Sequence, residues 1–192
     1  MNQPISLFSI FSTILQFFLV LNFYGGLIAN GDLIDNLCKS ISSHNPQLHY
    51  EFCVSSLEAN PLSKSSDIFG LVVISMELCK NNATYIPTYI DSILKDGKVE
   101  PEARVCLGNC IKFYSMALDD FEEGMKAFKD KDYESALRQV GNADIDRDTC
   151  KDGFIEAGID FNPLKKQDND FTKLISISLG IIVRIQGKVI LR

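Results

Sequence analysis

No tryptophan occurs in the 192 residues, and there are only two histidines, His44 and His49. That leaves triad or general acid/base machinery few candidates. No G-x-S-x-G elbow, Walker loop, H-E-x-x-H, dinucleotide fingerprint or EF-hand loop is present either. Glycine and proline, 12 and 6 residues, follow no period, which excludes collagen-like and low-complexity classes. Alternating apolar and polar runs of the strand type are missing, so a sheet protein is not expected. Charge is absent before Asp32. The rest of the chain carries the whole net charge of −6, and an acidic surface argues against a nucleic-acid partner.

What is present begins with an apolar opening. Ile5 to Phe23 is rich in Leu, Ile and Phe and loosens into Tyr24, Gly25, Gly26, Leu27, Ile28 and Ala29. This reads as residues 1–29 of a secretory signal with cleavage after Ala29. An uncleaved anchor is the competing reading, since about 20 apolar residues span a bilayer. Export would carry six cysteines into an oxidising compartment. It would also make Asn82-Ala83-Thr84 a candidate glycosylation sequon.

From Asp32 onward the apolar residues keep helical spacing. A short helix from Asp32 to about His44 carries Leu33, Leu37, Cys38 and Ile41 and stops at Asn45-Pro46. A second carries Phe52, Cys53 and Leu57 and stops at Asn60-Pro61, giving a helical hairpin over about 32–60. Four longer helices follow over about 65–187. Asp67 caps the first, which passes Cys79, kinks at Pro87 and ends at Gly97. Pro101 starts the next, whose stripe includes Cys106, Leu107, Cys110, Tyr114, Phe121, Met125 and Phe128. Asp132 caps a third through Ala136, Val140, Ala143, Cys150 and Phe154, ended by Gly158. The last runs from about Asp168 to Gly187. The expected fold is all-α: an up-down-up-down four-helix bundle preceded by the hairpin and stapled by disulfides.

Six cysteines allow 15 full pairings. In an antiparallel helix pair, two residues lie level when their midpoint falls in the connecting loop. The midpoint of Cys110 and Cys150 falls at residue 130, and that of Cys38 and Cys53 on Asn45-Pro46, so each pair should face. Cys79 and Cys106 are offset by about 13 residues, on the order of 20 Å along the axis at ~1.5 Å per residue. A bridge needs Cα atoms within about 7 Å. These two are expected as separate buried thiols unless the Pro87 region folds the chain back. Cys106 and Cys110, at i and i+4, could ligate a metal, but neither histidine has a reason to be near. No metal or cofactor is expected.

Among the acidic residues, Asp119-Asp120 and Glu122-Glu123 read as a solvated helix face. The alternating Asp144, Asp146 and Asp148 scatter around their helix, where they add to an acidic surface suited to a basic partner. A disulfide-stapled bundle without catalytic residues points to a binder rather than an enzyme.

Three ordered motifs go further. Cys38 and Cys53 frame C-x₁₄-C with Asn45-Pro46, Tyr50 and Phe52 inside it; Asn109-Cys110 and Tyr114 form N-C-x₃-Y; Thr149-Cys150-Lys151-Asp152-Gly153-Phe154 forms T-C-x-D-G-F. With these the chain, over about 32–187, resembles the plant invertase and pectin methylesterase inhibitor family. Tyr50-Glu51-Phe52-Cys53-Val54 and Lys131-Asp132-Tyr133-Glu134-Ser135-Ala136 are nearest its pollen-allergen-type invertase-inhibitor branch.

The resemblance implies an inhibitor domain over 30–192, bridges Cys38–Cys53 and Cys110–Cys150, and no cofactor. Cys79 and Cys106 fall outside the four-cysteine pattern. It implies a secreted carbohydrate-active enzyme as partner, an invertase or pectin methylesterase whose cleft is covered. The site would be the cell wall and apoplast or the vacuole, with no membrane association after signal removal. The family's invertase inhibitors insert Pro-Lys-Phe from the loop between the second and third bundle helices; here Tyr133-Glu134-Ser135 stands in that place. The candidate contact residues are therefore Lys131, Asp132, Tyr133, Glu134 and Ser135, with Tyr133 either an inserting ring or simply the first apolar residue of its helix. The alternative is a secreted small-ligand or lipid carrier, although the adjacent C-C and C-x-C pairs of plant lipid-transfer proteins are missing.

Overall fold

The computed structural model describes residues 33–159 and 162–190, the side chains of 188–190 excepted, and residue 16. The stretch read as a signal lies outside the described residues apart from residue 16. Six α-helices and no strand occur among them: α1 over 33–44, α2 Tyr50–Glu58, α3 Ile68–Asp96, α4 Pro101–Lys129, α5 Tyr133–Glu156 and α6 Lys165–Ile190. None of the described helices is long and apolar enough to cross a membrane.

Local chemistry sets the ends. The Asp67 carboxylate accepts from Gly70 N at 2.9 Å and Asp132 from Ser135 N at 3.0 Å, each satisfying an amide that has no partner inside its helix. Gly97 ends α3 in the left-handed region, φ 72°, where a side chain would be strained. Pro101 takes the first position of α4, where its missing N–H costs nothing. Asn60 caps a short 3₁₀ turn, Pro61–Ser65, linking hairpin to bundle.

The expected kink at Pro87 does not interrupt the chain. α3 is helical on both sides of it, with Ile86 and Ile90 fully buried, so packing of the apolar stripe holds the helix together across one lost hydrogen bond. α6 starts at Lys165, three residues before the position expected, and continues past Gly187.

α3 packs on α4 and α6, α4 on α5, and α5 on α6, which closes the ring. Sequence neighbours are thus spatial neighbours, as short loops require. Tyr114, Phe121 and Phe171 meet at the centre, with ring centroids 5.4 and 5.9 Å apart, tilted or edge-on as aromatic quadrupoles favour. The hairpin lies on α6. Gly180 permits the approach: a Cβ there would stand 2.7 Å from Ile41 Cγ2.

Two disulfides join level positions, Cys38–Cys53 with Cα atoms 5.6 Å apart and Cys110–Cys150 at 4.8 Å. Cys79 and Cys106 are free and buried. They point to different neighbours: Cys79 Sγ lies 3.5 Å from Ser178 Oγ on α6, and Cys106 Sγ donates to Gly153 O on α5 at 3.3 Å. Burial pushes the Cys79 thiol up to about 12, so it stays protonated and unreactive.

Candidate target-binding surface

The α4–α5 pair carries the turn singled out from the sequence. α4 ends as Asp132 N and Lys131 N donate to Ala127 O and Phe128 O, with Lys131 at φ 64°. Such a non-glycine residue in the left-handed region marks a turn held by its surroundings. Asp132 is engaged in capping. Hydrogen bonds from the Ser135 side chain and backbone hold its carboxyl below the usual carboxylate range. Ser135 Oγ in turn accepts from Arg138 Nη2 at 2.7 Å. The Tyr133 ring is half-buried, 5.5 Å from the Phe128 ring, so it braces the turn rather than projecting from it. Lys131, Asp132 and Glu134 are the exposed members of the set, and of these Lys131 and Glu134 are not committed to the cap.

Beyond the turn the two helices approach closely at Gly124, where a Cβ would meet Gln139 Cβ at 3.4 Å. Further along lies an open hollow of about 430 Å³ lined by Met116, Asp119, Asp120, Asn142, Ile145 and Asp146. Its rim is apolar and uncovered: Met116 is 42% and Ile145 63% exposed, and Val105, 65% exposed, lies three turns from Met116 on the same side of α4.

Asp120 of α4 and Asp146 of α5 both line the hollow, close enough for the two carboxyls to influence each other's titration. Burial first, then the charge of Asp146, raises Asp120 to about 6; burial raises Asp146 too. Asp119-Asp120 and the Asp144–Asp148 run are therefore not simply a solvated face. Two antiparallel helices bring one carboxylate of each together.

Because the folded-state value of Asp120 lies above its unfolded 3.8, the folded chain holds the extra proton between pH 4 and 6. The stabilisation is complete at low pH and lost as pH rises towards 6. Asp120→Asn is expected to raise the thermal midpoint at pH 7 by roughly 1–3 °C and to leave it unchanged near pH 4, measured by scanning calorimetry; both carboxyls are largely solvated, so screening keeps the effect small. A midpoint at pH 7 equal to the parent's would remove the carboxyl pair.

The other alternating aspartates serve a cluster the sequence reading missed. Arg147, 7% exposed, donates from Nη2 to Asp144 Oδ1 at 2.8 Å and lies 3.0 Å from Asp148 and 3.9 Å from Asp168. Tyr114 donates to Asp168 at 3.1 Å. Burial lowers the Arg147 guanidinium, but the Asp144 bond and three carboxylate charges outweigh it and hold it above its ordinary value. Burial dominates at Asp168 and raises its carboxyl against the pull of Arg147 and Tyr114. The cluster joins α4, α5 and α6 beneath the surface. Its signal was Arg147 itself, which falls on the apolar stripe between Ala143 and Cys150.

Asn82 stands half-buried in α3, its Oδ1 sealed from solvent without a hydrogen-bond partner among the described residues. Among the described residues no group of three or more His, Cys, Asp or Glu side chains could hold a metal ion.

The plant invertase/pectin methylesterase inhibitor family model matches residues 32–181. The chain belongs to this family. A protein of Platanus orientalis named "Putative invertase inhibitor" is 38% identical over 154 residues, covering 80% of this chain and 90% of its own. "Cell wall / vacuolar inhibitor of fructosidase 2" of Arabidopsis thaliana is 24% identical over 80% of this chain and 83% of its own. Among solved structures, a mutant form of a pectin methylesterase inhibitor from Arabidopsis superposes with a TM-score of 0.60 at 21% identity, over 74% of this chain and 95% of that one, which supports the same helical fold. The relatives carry inhibitor names, and the chain is an inhibitor-family protein rather than an enzyme.

Proposed function

We propose that the protein is a secreted inhibitor that covers the active-site cleft of an invertase or a pectin methylesterase, in the cell wall or the vacuole. It docks through the α4–α5 face, with Lys131 and Glu134 at one end and the Met116–Ile145 rim along it. Membership of the inhibitor family carries this reading. The exposed rim supports the choice of face, because uncovered aliphatic side chains around a hollow are what a partner buries at the centre of an interface. The acidic residues beside it suit a basic target surface. Tyr133, packed on Phe128, leaves insertion of a single ring into a sucrose pocket without support, which favours docking by the broader helix face.

The test is a titration of the disulfide-intact protein against one acid invertase and one pectin methylesterase at acidic pH. One of the two is expected to lose activity stoichiometrically. Ile145→Arg should weaken that inhibition at least about tenfold, as for a central interface residue, whereas Leu62→Arg, exposed on the 3₁₀ turn, should not. Inhibition of neither enzyme would overturn the proposal. Equal inhibition by the Ile145 variant would move the interface off this face.

A further inference from the structure

A second hollow, of about 450 Å³, lies between α1 and α6, away from the α4–α5 face. The close approach of Gly180 to Ile41 forms part of its lining. Its volume is that of small-molecule sites. The lining has two parts with different chemistry.

The floor is aliphatic, from Ile41, Leu179 and Val183, and Val183 is 55% exposed. The rim is polar but contains no carboxylate, in a chain where Asp and Glu outnumber Lys and Arg by 25 to 19. Arg184 supplies the charge. Its Nη1 donates to the neutral Ser40 Oγ at 2.9 Å, and it makes no ion pair with a carboxylate among the described residues. A guanidinium carries five N–H groups, so most of the donor fork is uncommitted. The neighbouring walls are fixed. His44 Nδ1 bonds Ser40 O at 2.8 Å and, since a carbonyl only accepts, carries the hydrogen; Asn45 Nδ2 donates to Ser176 Oγ at 3.0 Å.

We infer that the α1–α6 hollow binds a small monocarboxylate with an apolar body, its carboxylate on the Arg184 fork and its hydrocarbon on Val183 and Leu179. A planar guanidinium beside an uncovered aliphatic floor matches both ends of such a molecule, and a planar carboxylate is the anion the fork takes bidentately. A cationic amphiphile would meet Arg184 with like charge, and a neutral one would leave the fork unused.

The experiment is a titration of the disulfide-intact protein with octanoate, followed by calorimetry and by amide chemical shifts, with octan-1-ol and octyltrimethylammonium in parallel. Octanoate is expected to bind with a dissociation constant on the order of 1–5 mM and to shift amides around residues 40–45 and 176–184. Octan-1-ol should bind at least about fivefold more weakly and the cation not measurably. Arg184→Gln and Val183→Asp, both at exposed positions, should each weaken octanoate at least about fivefold without changing the thermal midpoint by more than a degree or two. No saturable octanoate binding below about 20 mM, shifts mapping elsewhere, or equal affinity in the Arg184 variant would each overturn the assignment.

Discussion

Replacing Cys110 and Cys150 together by serine is expected to lower the unfolding free energy by about 4 kcal/mol and the thermal midpoint by roughly 8–15 °C. The two residues are 40 apart in sequence. In the chain-entropy account, the bridge removes from the unfolded ensemble the freedom of a loop of that length, about 4 kcal/mol at 25 °C. The Cys38–Cys53 loop, 15 residues, gives about 3 kcal/mol on the same basis. Native packing should survive the substitution, because the bridge joins helices that already meet through Gly124, Ala136 and Val140. Urea unfolding of parent and double variant measures the difference. A loss below about 1 kcal/mol would show that the unfolded chain is already compact around this loop.

Arg147→Leu should cost about 3–4 kcal/mol at pH 7, the scale for removing one partner of a buried ion cluster. Asp168 is the reason. At 8% exposure its carboxylate loses its nearest charge partner with the guanidinium and is left with the Tyr114 hydroxyl and the weaker pull of Lys151, whereas Asp144 and Asp148 can turn to water. Arg147 opposes the upward push of burial on Asp168, so its loss raises that carboxyl further. A carboxyl raised above its unfolded value contributes stability at low pH that is lost as pH rises. The deficit of the variant should therefore shrink at pH 4, where Asp168 takes up a proton. Adding Asp168→Leu should recover part of the loss at pH 7, since paired apolar replacements of buried ions are often tolerated. Denaturant midpoints at the two pH values measure this; equal deficits would mean that Asp168 is not the uncompensated charge.

These two effects differ in how far the sequence announced them. The bridge was readable because it depends on one-dimensional facts: helix spacing, the Asp132 cap that fixes the turn, and a midpoint at residue 130. The ends at Asp67, Gly97 and Pro101 were readable for the same reason, each being local chemistry. The Arg147 cluster depends on three helices converging. Arg147 on the apolar stripe was the one signal, and Asp168 read only as the approximate start of the last helix; neither spacing reveals that Tyr114 of α4 and Arg147 of α5 meet at Asp168. The Asp120–Asp146 pair was missed likewise, because its members belong to different helices. Of the candidate contact residues, the sequence marked the turn but not that capping and packing already occupy Asp132, Tyr133 and Ser135.

Both disulfides close a ring around their own hairpin, and neither crosses from one ring to the other. The covalent map is thus two loops on a string, 38–53 and 110–150, with α3 as open chain between them and α6 as an open tail. A protease cut after Lys129 or Lys131 would fall inside the second loop and leave its arms tied as one molecule. A cut after Lys95 or Lys98, at the α3–α4 turn, would release two pieces held only by the core. The bundle is therefore armoured at the turn proposed to meet its target, and it depends on packing alone at the opposite end.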